Sequence, residues 1–443
     1  MHNLAIALHH KGYLVTGSDD EIVEPSRSRL AQQGLLPRSY GWFPEKIMPE
    51  IDAIVLGMHA RSDNPELRKA QAMGLKIFSY PEFLYEQTKD KLRVVIGGSH
   101  GKTTITSMIM HVLRVNGVSF DYMVGAQVEG FETMVGFSHD SKIAVFEGDE
   151  YLSSPTDPRP KFHLYHPHIG LLSGIAWDHI NVFPTFENYV EQFREFVRLT
   201  EPGGTLFYYE GDPVLREIAA GQKHITTRGY TTHPYVLRDQ ITCLKTADSE
   251  LPLKIFGEHN LQNISAAKAV CAALGLSGDR FYRAISTFSG ASRRLEVLAA
   301  NGTTTVFRDF AHSPSKLLAT TKAVKQQFPD RKLVACMELH TFSSLKKEFL
   351  PHYKHCMKDA DTPFVYFNPL TVEHKKLEPI TEEMVFEGFA QPGLQVTTDS
   401  DELFLALSNS DWSNKNLLLM SSGNFDGKDL PEFARKIVED HGK

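Results

Sequence analysis

Residues 92–104 read LRVVIGGSHGKTT, and the architecture follows from this stretch. Leu92–Ile96 is a mainly apolar run of strand length, broken by Arg93. A glycine loop follows it, and then a long segment with helical character. Strand, glycine loop and helix in that order are the setting of a phosphate-binding loop. Glycines let backbone N–H groups approach phosphate, and the helix N-terminus adds a favourable dipole. Lys102 supplies a point charge for the terminal phosphates, and Thr103 or Thr104 a hydroxyl for Mg²⁺. Gly98, Ser99, His100, Gly101, Lys102, Thr103 and Thr104 therefore form the candidate nucleotide cradle. The loop is shorter than the usual GxxxxGK[ST] spacing because residue 96 is isoleucine. A glycine turn that merely caps a structural helix is the bland alternative.

The chain repeats this alternation on either side. Upstream, Asn3–Lys11 is amphipathic and Gly12 ends it as a C-terminal glycine does. Tyr13–Gly17, Ile51–Leu56 and Lys76–Phe78 read as strands, and Pro65 marks a helix start. Downstream, strands are expected at Ile143–Phe146, Ile169–Leu172 and Thr205–Tyr208, with an alanine-rich helix over Asn260–Leu274. A third set follows at Thr304–Arg308, Leu333–Cys336, Phe364–Phe367, Leu394–Thr397 and Leu417–Met420. Alternating strands and helices imply parallel sheets. The fold class is α/β, with three domains in series over residues 1–90, 91–295 and 296–443.

A chain of 443 residues exceeds one hydrophobic core, which fits several domains. With 42% hydrophobic and 23% charged residues it has the composition of a globular protein. Its net charge of −7 lacks the basic footprint of a nucleic-acid binder, so no nucleic-acid partner is expected. Cys243, Cys271, Cys336 and Cys356 are scattered, with no CxxC pair, as in a reducing compartment. No apolar run is long enough to span a membrane, and the N-terminus lacks a cleavage site. The expectation is a cytoplasmic enzyme without a membrane partner.

Several polar clusters lie just past strands, where open α/β sheets bind ligands. Glu147-Gly148-Asp149-Glu150 follows one strand. Mg²⁺ takes carboxylate and phosphate oxygens together, so Glu147 can complete a metal site with the loop threonine. A solvated acidic turn is the other reading. Asp178-His179 follows another strand, and such a histidine binds a second metal, orients a carboxylate or is merely structural. Gly257-Glu258-His259-Asn260-Leu261-Gln262-Asn263 opens the alanine-rich helix, with Asn260 a candidate cap. Arg293-Arg294 offers a phosphate contact or an ordinary surface charge. Asp309-Phe310-Ala311-His312-Ser313-Pro314 sits between a strand and a helix.

Taken in order, GSHGKTT, EGDE, DH, GEHNLQN, SRRLE and DFAHSP resemble the Mur ligase superfamily over nearly the whole chain. Within it, EGDEYLSSPTDPRPKFHLYHP, WDHINVF and GEHNLQN look most like the murein peptide ligase branch, with the UDP-N-acetylmuramate–L-alanine ligases next. The resemblance implies a Rossmann-like UDP-sugar domain, a P-loop ATPase domain and a Rossmann-like C-terminal domain for the amine substrate. It implies ATP and Mg²⁺, with Lys102, Glu147 and His179 catalytic and Thr103, Glu147 and His179 holding metal. His259, Asn260, Asn263, Arg294, Asp309 and His312 would meet ATP, and Ser18, Asp19, His59 and Asn64 the UDP-sugar. The activity implied is ligation of UDP-N-acetylmuramate to L-alanyl-γ-D-glutamyl-meso-diaminopimelate in peptidoglycan recycling, by a monomer or homodimer. The alternatives are L-alanine as acceptor and a non-catalytic binding protein that kept the fold.

This chain departs from the pattern at four places. The family opens with a strand and glycine-rich loop that lie before the position of Met1. Gln192-Phe193-Arg194 stands where many members carry a carbamylated lysine, and Arg194 is expected to supply a charge at that place. Arg308 replaces the first of two acidic residues before the Asp309 segment, and Ser313 the usual second histidine. Glu338-Leu339-His340-Thr341-Phe342 stands where murein peptide ligases carry an arginine.

Overall fold

A computed structural model describes residues 1–58, 60–154, 157–177, 180 and 182–440. The chain forms two compact units. The first comprises Met1–Ile175, Phe186–Thr231 and Ala266–Ala284, the second Ala176–Thr185, Thr232–Ser265 and Ile285–Lys443.

The first unit is built on a seven-stranded sheet. Its strands run in the order Thr226–Tyr230, Thr205–Tyr209, Ile169–Leu172, Leu92–Gly97, Ile143–Glu147, Asp121–Met123, Val135–Gly136. All pairs are parallel except the last. The Leu92–Gly97 strand lies in the middle because Val94, Val95 and Ile96 are fully buried, with no polar face to turn outward. Later strands are added to either side of it, so the strand order reverses there, and ligand crevices form at such points. The Lys102–Val115 helix follows and buries Ile105, Met108, Ile109 and Val112 completely. Each such side chain contributes roughly 1.5–3 kcal/mol.

The first unit also holds the chain's N-terminal portion. There the His2–His10 helix ends at Gly12, whose φ of 92° is the left-handed turn expected of it. Ile54–Leu56 and Ile77–Ser79 pair in parallel. The strand expected at Tyr13–Gly17 does not form: the segment is irregular, and Leu14 is 98% exposed. A strand exists only with a neighbour to bond, and among the described residues this segment has none. The Tyr80–Thr88 helix begins with a capping box between Ser79 and Glu82.

The second unit carries a six-stranded sheet. Its order is Glu296–Ala300, Thr305–Asp309, Lys415–Met420, Lys332–Leu339, Thr362–Phe367, Gln395–Thr397, antiparallel only at the first pair. Along Lys332–Leu339, Leu333, Ala335 and Met337 enter one core while Val334 and Cys336 enter the other. This two-residue alternation, apolar on both faces, is why the strand reads as an uninterrupted hydrophobic run. A three-stranded sheet spans Tyr235–Arg238, Ile241–Lys245 and Glu250–Pro252. Among the described residues, no helix is long and apolar enough to cross a membrane.

Candidate functional site

The glycine loop is shaped by backbone constraints. Gly98 has φ 122°, and a Cβ there would lie 2.2 Å from Ser173 Oγ. Only glycine fits. Ser173 and Gly174, at the end of the neighbouring strand, anchor the loop. Ser99 N–H donates to the Gly174 carbonyl at 2.9 Å, and Ser173 Oγ donates to the His100 carbonyl. Gly101, at φ 72°, precedes the helix and has no side chain to cap it. The first-turn N–H groups near Lys102, Thr103 and Thr104 are thus left uncapped by any N-cap side chain.

Register brings the acidic segment to this loop. Ile96 is the pairing partner of Glu147 across the two central strands. Thr103 Oγ1 donates to Glu147 Oε1 at 2.8 Å, and Gly125 N–H donates to Glu147 Oε2 at 2.6 Å. A Cβ at Gly125 would come within 2.8 Å of that carboxylate, so any side chain there would shift the end of Glu147. Lys102 Nζ lies 2.5 Å from Glu150 Oε2 and 2.8 Å from the Gly98 carbonyl oxygen. Burial opposes the charge on Lys102, but Glu150, Asp149 and Glu147 outweigh it, and the pKa rises above its ordinary value. The ammonium therefore stays charged across the physiological range. Asp149 itself pairs with Lys161 at 2.6 Å.

Asp178 and His179 lie outside the described residues, as does His59. Arg194, expected to supply a charge at the place of the carbamylated lysine, is paired with Glu187, Glu191 and Glu217. The residue of the Phe186–Arg198 helix that meets the loop is Tyr189. Its hydroxyl lies 2.9 Å from Ser99 Oγ and donates to Glu150 Oε1 at 3.0 Å. Five positions separate Tyr189 from Arg194, about 140° around a helix, so the two cannot face the same way. Sequence reading missed Tyr189, Gly125 and Ser173. Tyr189 has the spacing of a core aromatic with Phe193 and Phe196, and only its hydroxyl hints otherwise. Glu150 sat inside the acidic tetrapeptide but was not singled out.

The remaining nucleotide candidates belong to the second unit. The Glu258–Ala273 helix starts before Asn260, so Asn260 is no cap: its amide donates to the Phe256 carbonyl at 2.8 Å. Asn263 Nδ2 lies 3.5 Å from Asn260 Oδ1. Desolvation pushes the His259 imidazole down to about 4. Asp309 is buried at the end of its strand, and burial raises its pKa despite nearby Arg294. It accepts from Leu295 N–H at 2.6 Å and Ala311 N–H at 2.7 Å. Arg294 stacks 4.6 Å over the Phe310 ring, whose edge meets His312 at 5.1 Å. Arg294, Asp309 and His312 thus gather, with His259, Asn260 and Asn263 on the first turns of their own helix.

Arg308 pairs with Glu296 at 2.8 Å. Glu338 is buried, accepting from Ser421 Oγ and from Phe425 N–H at 2.9 Å. Of the UDP-sugar candidates, Asn64 caps the Pro65–Ala72 helix, accepting from Glu66 and Leu67 N–H groups. Ser18 Oγ accepts from Lys46 at 3.3 Å, and Asp19 receives Asp20 N–H at 3.0 Å. Hydrogen bonds do not join Asn64 to the Ser18–Asp19 pair among the described contacts. No group of three or more potential metal-ligating side chains occurs among the described residues.

Residues 1–91 match the family described as Mur ligase family, catalytic domain, and residues 96–271 the Mur ligase middle domain. The UDP-N-acetylmuramate–L-alanine ligase of Lactobacillus delbrueckii subsp. bulgaricus is 30% identical over 383 residues, covering 82% of this chain and 81% of the relative. The crystal structure of a murein peptide ligase from Psychrobacter arcticus superposes with TM-score 0.67 at 23% identity, covering 100% of this chain and 96% of that one. The UDP-N-acetylmuramate–alanine ligase of Thermotoga maritima gives TM-score 0.69 at 21% identity, over 99% of this chain and 96% of the other. At those identities the two structures establish likeness of fold.

Proposed function

The chain belongs to the Mur ligase family, and from that premise we propose that it joins UDP-N-acetylmuramate to the tripeptide L-alanyl-γ-D-glutamyl-meso-diaminopimelate. It is an ATP-dependent amide ligase of peptidoglycan synthesis. The tripeptide as acceptor, a recycling role and a cytoplasmic site of action are the proposal. So is the division into UDP-sugar, ATPase and acceptor domains over 1–90, 91–295 and 296–443. The observation that carries the reading is the loop with Lys102 and Thr103 set beside Glu147 by strand register.

The chemistry needs a carboxylate made electrophilic. In this reading the lactyl carboxylate attacks the γ-phosphorus of ATP, ADP leaves, and an acyl-phosphate forms. The neutral amine of the acceptor then adds to the acyl carbon, and phosphate departs with its bonding pair, taking up the proton that the nitrogen loses as the amide forms. Charge crowding between carboxylate and triphosphate is the main barrier, so fixed positive groups and N–H dipoles do most of the work. Lys102 supplies the charge, and the uncapped helix turn supplies the dipoles. Mg²⁺ fits the donors present, since a hydroxyl and a carboxylate converge within 2.8 Å and both are hard oxygen ligands. When bound there by Thr103 and Glu147 it would neutralise phosphate charge. His179 is proposed as a further metal ligand. Gly98, Ser99, His100, Gly101 and Thr104 cradle phosphate. His259, Asn260, Asn263, Arg294, Asp309 and His312 are proposed to contact the nucleotide during turnover, and Ser18, Asp19, His59 and Asn64 the UDP-sugar.

A second reading has L-alanine as the acceptor, and the name of the 30%-identical relative favours it. The test offers the protein ATP, Mg²⁺ and UDP-N-acetylmuramate with either the tripeptide or alanine, and follows phosphate release and the amide product. Release with the tripeptide only is expected. Release with alanine only establishes the second reading, and release with neither rejects both.

A further inference from the structure

Two carboxylates three residues apart serve different partners. Glu147 is occupied by Thr103 and Gly125, whereas Glu150 faces Lys102. The Glu150 side chain is only 1% exposed. A buried carboxylate is costly unless it is paired and its oxygens are bonded. Here one oxygen meets the Lys102 ammonium at 2.5 Å and the other accepts from Tyr189 OH at 3.0 Å. Tyr189 is itself fully buried, its ring edge-on to Phe193 at a centroid distance of 5.1 Å. The same hydroxyl lies 2.9 Å from Ser99 Oγ in the loop. Ser99, Tyr189, Glu150 and Lys102 thus close a ring of contacts that starts and ends in the loop.

We propose that Glu150 is the resting counterion of Lys102, held in line by Tyr189, and that an incoming triphosphate must displace it from the ammonium. This rests on the reading of the loop as an ATP site. Glu150 then acts twice. It keeps the ammonium at the loop mouth between turnovers, docked against the Gly98 carbonyl. It also competes with the phosphates for that ammonium, which weakens nucleotide binding and favours release. Tyr189 is a positioning residue: with its ring packed, the hydroxyl aims the carboxylate.

The test is calorimetric titration of the full chain with Mg²⁺ and the β,γ-imido analogue of ATP. Glu150→Gln keeps the shape and removes the charge. Its Kd is expected to fall about five- to tenfold below the parent's, and the gain is expected to vanish in the Lys102→Ala background. Tyr189→Phe keeps the ring and is expected to shift Kd in the same direction by a smaller factor. A purely structural role for Glu150 would weaken binding, or change it equally with and without Lys102; either result overturns the proposal. Should Glu150→Gln fail to fold, Tyr189→Phe decides, and an unchanged or higher Kd in that variant overturns it. Amide formation by the parent is assayed alongside. A parent that binds the analogue but makes no amide defeats the ligase reading alone, whereas one that binds no nucleotide defeats both.

Discussion

Thr103 Oγ1 donates to Glu147 Oε1 across 2.8 Å, though 44 positions separate the two residues in the chain. The contact exists because the strands preceding them are adjacent and paired so that Ile96 stands opposite Glu147. A one-residue slip of that register would turn Glu147 to the other face of the sheet. The same carboxylate accepts from Gly125 N–H, so its orientation is set from two sides.

That geometry gives the first prediction. Glu147→Gln keeps the side-chain shape and one acceptor oxygen for Gly125 N–H, but removes the negative charge from the proposed Mg²⁺ donors Thr103 and Glu147. The Mg²⁺ concentration for half-maximal phosphate release should rise at least about tenfold. An unchanged Mg²⁺ titration would remove Glu147 from the metal site.

Lys102→Ala deletes the one loop side chain whose charge the neighbouring carboxylates sustain. Turnover should drop by about two to three orders of magnitude, the scale of losing one preorganised charge at a transition state. Far-ultraviolet circular dichroism should be unchanged. Near-parental turnover would mean that the loop does not handle phosphate.

Gly98→Ala tests the loop anchor. The added methyl would meet Ser173 Oγ at 2.2 Å and Ser173 N at 2.8 Å, at a φ of 122° that disfavours any side chain. A loss of stability of about 2 kcal/mol or more is expected in urea unfolding, with loss of nucleotide binding. Gly302→Ala is the control, since nothing lies within 4 Å of its Cβ position. Equal behaviour of the two variants would contradict the argument.

His259 carries a pH prediction. Its folded pKa is depressed to about 4, against an unfolded value near 6.5. Between those values the unfolded chain binds a proton that the folded chain does not, so stability is lost as pH falls through this window. The contribution is on the order of 2 kcal/mol. Chemical unfolding at pH 7 and pH 4.5 should show a smaller drop for His259→Gln than for the parent. Parallel drops would assign the acid sensitivity to other groups.

Arg93 tests the frame that carries the loop. Its side chain is 2% exposed in the central strand, yet its guanidinium donates to the carbonyls of Tyr165, Thr88 and Lys89 and pairs with Glu201 at 3.0 Å. It thereby caps the C-terminal end of the Tyr80–Thr88 helix from within the sheet. Arg93→Met strands those carbonyls and should lower stability by roughly 3 kcal/mol. A loss under about 1 kcal/mol in denaturant unfolding would show that water replaces the guanidinium.

Local pattern was enough for most of the strands. Val94, Val95 and Ile96 are apolar without a break, and only a doubly covered strand makes use of that. Tyr13–Gly17 has similar residues but no ladder partner among the described residues, and pattern carries no information about partners. The loop residues from Gly98 to Thr104 were legible because each needs a special backbone or side chain. Asn260 looked like a cap in sequence because a cap and a first-turn residue differ by only three positions.

From residue order alone came the α/β class, the phosphate loop and the acidic segment: these depend on chemistry within a few neighbours. Which acid faces which loop residue was settled by the folded sheet and the helix beside it. Glu147 meets Thr103 through strand register, Glu150 meets Lys102, and Tyr189 rather than Arg194 turns inward. The physical reason is that these contacts join segments 39 to 90 positions apart. Their pairing is a property of register and helix rotation, which local sequence constrains only through the hydrophobic face that must be buried.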